Sequence, residues 1–127
     1  MNLGRVSSAA LMLSGLAGVL TPTKVASALD LSAASGRAVA ETRAGLGGTY
    51  AALGAWALLS RKPTAHAAVG VTWIGAAAAR LASLVLDHPR TDSEFWAYLA
   101  AELGFGSAAI ASAIRHADGI RTIRDMQ

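Results

Sequence analysis

The stretch PTAHAAVGVTWIGAAAARLASLVL, residues 63–86, contains one charged side chain, Arg80. A second stretch, FWAYLAAELGFGSAAIASAI at residues 95–114, also contains one, Glu102. At 24 and 20 residues, both are long enough to cross a bilayer, which takes about 20 helical residues. A lone ionisable group at that depth costs about 3 kcal/mol on insertion scales and turns towards a partner or a cavity. Arg80 and Glu102 are opposite in sign, so each is the natural partner of the other.

Composition agrees with this reading. Of 127 residues, 54% are hydrophobic and 15% charged, with a mean hydropathy of +0.44. A soluble domain carries about 25% charged residues, spread along the chain. Here the charges cluster between long runs that lack them. The 30 alanines and 13 glycines suit helices that approach backbone to backbone in lipid. The net charge of +3 and pI near 10 do not point to nucleic acid, because the eleven basic residues form no stripe and no aromatic interleaving. Absence of cysteine excludes disulfides, thiolate chemistry and cysteine-ligated zinc or iron–sulfur centres.

The pattern predicts an all-α fold, a four-helix transmembrane bundle forming a single integral membrane domain. Its helices span about residues 6–21, 38–60, 64–86 and 93–114, with a polar tail over 115–127. Pro22 ends the first, Arg61-Lys62-Pro63 the second, Asp87-His88-Pro89 the third and Arg115-His116 the fourth. Arg5, the apolar run behind it and Ala26-Ser27-Ala28 also fit a cleaved signal peptide. Three remaining helices would enclose the buried charges poorly, which favours retention. Arg5, Arg61, Lys62, Arg115, Arg121 and Arg124 fall on one side, against Lys24, Arg37, Arg43 and Arg90 on the other. The positive-inside bias predicts a multi-pass protein of the cell membrane with both termini cytoplasmic.

Helical spacing groups the polar residues. Trp73, Ala76, Arg80, Ser83 and Asp87 share one face of the third helix. Glu94, Tyr98 and Glu102 share one face of the fourth, continued by Phe105 and Gly106. On the second, Glu41, Gly45, Gly48 and Ala52 make a stripe that begins acidic and becomes smooth. The candidate ligand-binding residues are Arg80, Glu102 and Glu41, supported by Arg43, Ser83, Asp87 and Tyr98, in the outer half of the bundle. A bland alternative is an ion pair that only pins helix register. Against it, Glu41, Asp87, Glu94 and Glu102 outnumber Arg43 and Arg80, leaving a carboxylate to be hydrated, protonated or ligand-bound.

No catalytic constellation, cofactor motif or metal site is read from the chain. His66, His88 and His116 lie far apart at helix ends. The glycines of Gly45-Leu46-Gly47-Gly48 follow no strand and have no Lys-Ser/Thr sequel, so they are not a phosphate loop. Their expected role is close helix packing. Trp96 and Tyr98 fit interface anchors, while Trp73 lies deeper and fits a cavity wall.

The segment Glu41-Thr42-Arg43-Ala44-Gly45-Leu46-Gly47-Gly48, with Arg80-Leu81-Ala82-Ser83-Leu84-Val85-Leu86-Asp87 and Glu102, resembles a group of small bacterial four-helix membrane proteins classified only as a domain of unknown function. The overall layout is similar to the DoxX-like membrane proteins. The first resemblance implies an integral four-helix bundle that keeps its first helix, and implies no established reaction. The DoxX likeness suggests association with quinone-linked or membrane redox systems, although this chain has no redox residue of its own.

Three functions follow as expectations. The leading one binds or conveys a small polar or amphipathic ligand, with Arg80 holding an anionic or carbonyl group and Glu102 as counter-ion or proton acceptor. The second is an accessory subunit packed against a larger membrane complex or a second copy of itself. The third is a membrane-embedded lipid-modifying enzyme acting through Glu102 and Arg80.

Overall fold

The computed structural model describes residues 2–60 and 62–125, the last eight by backbone only, and every regular element among them is helical. Helix α1 spans Leu3–Leu20, α2 Pro22–Ala28, α3 Gly36–Thr42 and α4 Thr49–Ser60. A π-helical turn, Arg43–Gly48, joins α3 to α4 without a break, and α5 (Pro63–Leu86) and α6 (Ser93–Asp125) follow. The chain forms two compact units, Met1–Ser7 with Arg61–Gln127, and Ser8–Ser60.

In the first unit α5 and α6 form an antiparallel hairpin. Pro63 opens α5, where its missing N–H would have had no helical partner. At the other end the N–H groups of Asp87 and His88 both donate to the Ser83 carbonyl, at 2.8 and 3.2 Å. His88 turns the chain with φ 48, and Pro89 cannot continue a helix. The Asp92 carboxylate then caps α6 by accepting from the Phe95 N–H at 2.9 Å.

Glycines set how closely the hairpin packs. A Cβ on Gly70 would lie 2.7 Å from Ile110 Cγ1, and one on Gly106 would lie 2.7 Å from Ile74 Cδ1. Each isoleucine therefore occupies the space left by the glycine on the opposite helix. The first two turns of α1 join the same unit. The Ser7 hydroxyl donates to the Phe105 carbonyl at 2.8 Å, and the Ser112 hydroxyl donates to Asn2 Oδ1 at 3.1 Å.

In the second unit the rest of α1 crosses the helical run 36–60 at near backbone contact. A Cβ on Gly54 would lie 2.5 Å from the Met12 nitrogen, and one on Gly47 2.6 Å from the Val19 nitrogen. A Cβ on Gly15 would run into the Ala51 backbone. Ser35 caps α3 by accepting from the Ala38 N–H at 3.1 Å. The end of α2 is closed by Asp30 at φ 55, with Leu31 N–H to Ala26 O at 2.8 Å and Asp30 N–H to Ser27 O at 3.1 Å. That is the six-to-one, five-to-two pairing of a Schellman end, with aspartate where glycine is usual.

Several boundaries differ from the sequence reading. α1 begins at Leu3, and the mixed segment after Pro22 holds a further short helix, with Pro22 at its first position. The expected stripe of Glu41, Gly45, Gly48 and Ala52 is not the packed face. Gly45 has nothing within 4 Å, while Gly47 and Gly54 are buried. The π turn adds a residue to the helical repeat, so the register set by Glu41 is lost before Ala52. Where four spans are expected, three helices among the described residues are long and apolar enough to cross a membrane: Leu3–Leu20, Pro63–Leu86 and Ser93–Ala117. The run 36–60 is divided by its π turn into pieces of 7, 6 and 12 residues, and it carries Arg37, Glu41 and Arg43 in its first third. The tail is helical, since α6 continues past Arg115 and His116 to Asp125. Arg61 and the side chains of Arg121 and Arg124, which enter the expected charge bias, lie outside the described residues.

Candidate functional site

Arg80 projects from α5 two turns before its end, and Glu102 from α6 nine residues after its start. At 1.5 Å per residue Glu102 lies about 14 Å into its helix. The two side chains meet as a fork: Arg80 Nε donates to Glu102 Oε2 at 3.0 Å, and Nη2 donates to Oε1 at 2.7 Å. This bidentate, charge-assisted geometry is the strongest form of side-chain hydrogen bonding available here. Glu102 is 7% exposed, whereas the Arg80 side chain keeps 24% of its surface open.

Two rings complete the setting of Arg80. Its guanidinium carbon lies 5.5 Å from the Phe95 ring centroid and 5.6 Å from that of Tyr98, within cation–π range. Phe95, Tyr98 and Glu102 are spaced three and four apart, so one face of α6 presents two arenes and a carboxylate to one arginine. Two turns further along the Arg80 face stands Trp73, whose ring lies 5.6 Å from Phe105. The Trp73 indole N–H is buried with no hydrogen-bond partner. A buried donor left unmade costs about 1–3 kcal/mol.

The other expected site residues fall in both units. Ser83 is half-buried one turn after Arg80, and Asp87 and Glu94 are exposed, so the surplus carboxylates stand in solvent-accessible positions. Glu41 and Arg43 belong to the other unit and have partners there. Glu41 pairs with Arg37 at 3.8 Å, both side chains exposed, and Arg43 donates to the Val19 carbonyl in the last turn of α1. Cations are favoured at a helix C-terminus, where carbonyls lack helical donors. The Glu-x-Arg-Ala-x-x-Gly-Gly element thus has a structural part, in which Arg43 caps α1 and Gly47 admits it.

Sequence reasoning missed Phe95, although its spacing to Tyr98 and Glu102 was a usable signal. It set His66, His88 and His116 far apart at helix ends, with His66 and His116 on the same side. Both come to the end of the hairpin where α1 starts: a Cβ on Gly4 would lie 2.9 Å from Ser112 Oγ and 3.1 Å from His66 Cγ. His116 Nδ1 lies 2.7 Å from the Ser112 carbonyl. Since a carbonyl only accepts, that nitrogen carries the proton. Among the described residues no three His, Asp or Glu side chains converge as a metal site requires.

A helical chain with three membrane-length apolar helices, two of them joined through a buried ion pair, has the build of a small membrane protein. Residues 3–113 match the family model described as a domain of unknown function (DUF4345), and the chain belongs to that family. No curated protein and no solved structure matches it.

Proposed function

We propose that this protein is a small integral membrane protein that binds an amphipathic ligand at the Arg80–Glu102 pair. The observation that carries this reading is the Trp73 indole N–H, buried without a partner on the face that carries Arg80. A pair that only pins register needs no such donor two turns along its helix. Once a shift of the ring opened the buried indole, a ligand's carbonyl oxygen would satisfy it, and Arg80, partly open between Phe95 and Tyr98, would meet the ligand's polar head.

The state of the pair selects between the two head groups expected of the ligand. Both Glu102 oxygens receive bonds from Arg80, so the site is electrically balanced as it stands. A carboxylate or phosphate would add an uncompensated charge in a low-dielectric setting, which costs several kcal/mol. A neutral, hydrogen-bonding head adds none. The carbonyl alternative is therefore favoured over the anionic one.

In this reading the run 36–60 is the fourth span of a four-helix bundle. Its uncharged part, residues 44–60, is about 25 Å long, and Arg37, Glu41 and Arg43 stand at the outer interface. Both termini are cytoplasmic on the lysine and arginine count. A bacterial cell membrane and a DoxX-like layout follow from the sequence resemblance alone. The test is retention of endogenous lipid by the full-length protein in mild detergent, followed by native mass spectrometry. Wild type should retain it, and Arg80→Gln with Glu102→Gln should not.

A second reading, an accessory subunit or homo-oligomer, is favoured by the outer face of α5. Val71 is 64% exposed there, and Gly75 has nothing within 4 Å, a surface another helix could approach closely. Co-purification of a partner that survives the Arg80/Glu102 double substitution, with no lipid retained by either form, would select it.

A further inference from the structure

The end of the hairpin where α1 starts holds a buried histidine beside two other bases. His66, in the first turn of α5, is 6% exposed. The α1 backbone lies against its ring, since a Cβ on Gly4 would stand 3.1 Å from His66 Cγ and 2.9 Å from Ser112 Oγ. The groups whose charge acts on the imidazole are Arg5 on α1 and His116 on α6. Arg5 is a cation at every working pH. We infer that His66 is a proton-operated latch: neutral, it lets the first turn of α1 dock on the hairpin, and protonated, it releases that turn.

The docked contact is built for an uncharged ring. Gly4 lets the α1 backbone reach the imidazole, because a side chain there would collide with His66 or Ser112. Ser112, 3% exposed, donates to Asn2 Oδ1 at 3.1 Å. Close packing and a hydrogen bond between neutral groups therefore hold the turn.

A proton on His66 changes that balance. It sets a second cation near Arg5 in a place from which water is largely excluded, and like charges so placed oppose each other. His116 keeps its Nδ1 proton on the Ser112 carbonyl at 2.7 Å, so a further proton there adds a cation to the same cluster. Release of the turn carries Arg5 away and lets water reach the ring. The released form thus takes up the proton more readily, and acid favours release. An imidazole in water titrates near pH 6.5, so docking is complete above about that value and is lost as pH falls below it. The hairpin itself has no such sensitivity at its close contacts. Gly70 against Ile110, Gly106 against Ile74 and the Ser7–Phe105 hydrogen bond contain no titratable group.

The chain has no cysteine, so one introduced cysteine carries a single nitroxide label in the full-length protein. Leu3→Cys reports on the first turn of α1, and Gly75→Cys, where nothing stands within 4 Å, is the control in the middle of α5. Label mobility is read from the spectrum in mild detergent at about pH 8 and about pH 5, either side of the imidazole range. The mobile fraction at Leu3 should rise at least about threefold on acidification and fall back on neutralisation, with no change at Gly75. His66→Gln should abolish the rise. Arg5→Gln, at an exposed position, should cut it to about half or less. Equal mobility of the wild-type Leu3 label at both pH values overturns the latch. A full response in His66→Gln or in Arg5→Gln overturns it as well, and a parallel rise at Gly75 replaces it with general unfolding. Should His66→Gln lose the helical signal of wild type, Arg5→Gln decides alone.

Discussion

Glu102 gives both carboxylate oxygens to one residue, Arg80, at 3.0 and 2.7 Å. Neither ion can be removed alone without stranding the other beside apolar helix surface. Arg80→Gln or Glu102→Gln alone should each destabilise the protein by about 3–5 kcal/mol, while Arg80→Met with Glu102→Leu should be close to neutral. Unfolding of the four proteins in detergent, analysed as a double-mutant cycle, checks this. Additive single effects would mean that the pair contributes no coupling.

Trp73 offers a contrasting case. Replacing a buried tryptophan by a smaller apolar residue normally leaves a cavity and costs several kcal/mol. Trp73→Phe also removes an unsatisfied N–H, which offsets about 1–3 kcal/mol of that loss. Its net effect on thermal unfolding should stay within about 1 kcal/mol of wild type, while ligand affinity falls. Unfolding and ligand retention measured on the same preparation separate the two effects.

The crossing of α1 with the run 36–60 should discriminate sharply among glycines. Gly54→Ala places a Cβ 2.5 Å from the Met12 backbone nitrogen, so the helices must separate, at a cost of about 1–3 kcal/mol or more. Gly45→Ala meets nothing and should stabilise by about 0.5–1 kcal/mol through helix propensity. The melting temperatures of the two variants should move in opposite directions.

Asp30 closes α2 at φ 55, a conformation that costs an ordinary L-residue about 1–2 kcal/mol. Asp30→Gly should relieve part of this and raise stability by about 0.5–1 kcal/mol. A lower melting temperature would mean that the aspartate side chain has a compensating role.

The Arg80–Glu102 contact was legible in the sequence because each is the lone charge in a long apolar run. Such a charge has few alternatives to its opposite on a neighbouring helix. The stripe of Glu41, Gly45, Gly48 and Ala52 was misread as one face. Spacing gives the face of a regular helix, but the π turn at Arg43–Gly48 shifts the register, and no residue type marks such a turn by itself. Helix ends were legible only where proline or consecutive charges stop them. α2 lies among charged residues without apolar periodicity, and α6 passes through Arg115 and His116, which helices tolerate. The orphaned Trp73 N–H was invisible because satisfaction of a donor depends on the packing of several elements at once.

The most direct measurement compares amphiphile binding by wild type and by Arg80→Met with Glu102→Leu, both with their helical circular dichroism recorded. The account predicts that the charge-free protein stays folded, with the same helical signal, and binds monoolein at least tenfold more weakly. Wild-type binding by that folded, charge-free protein would contradict it.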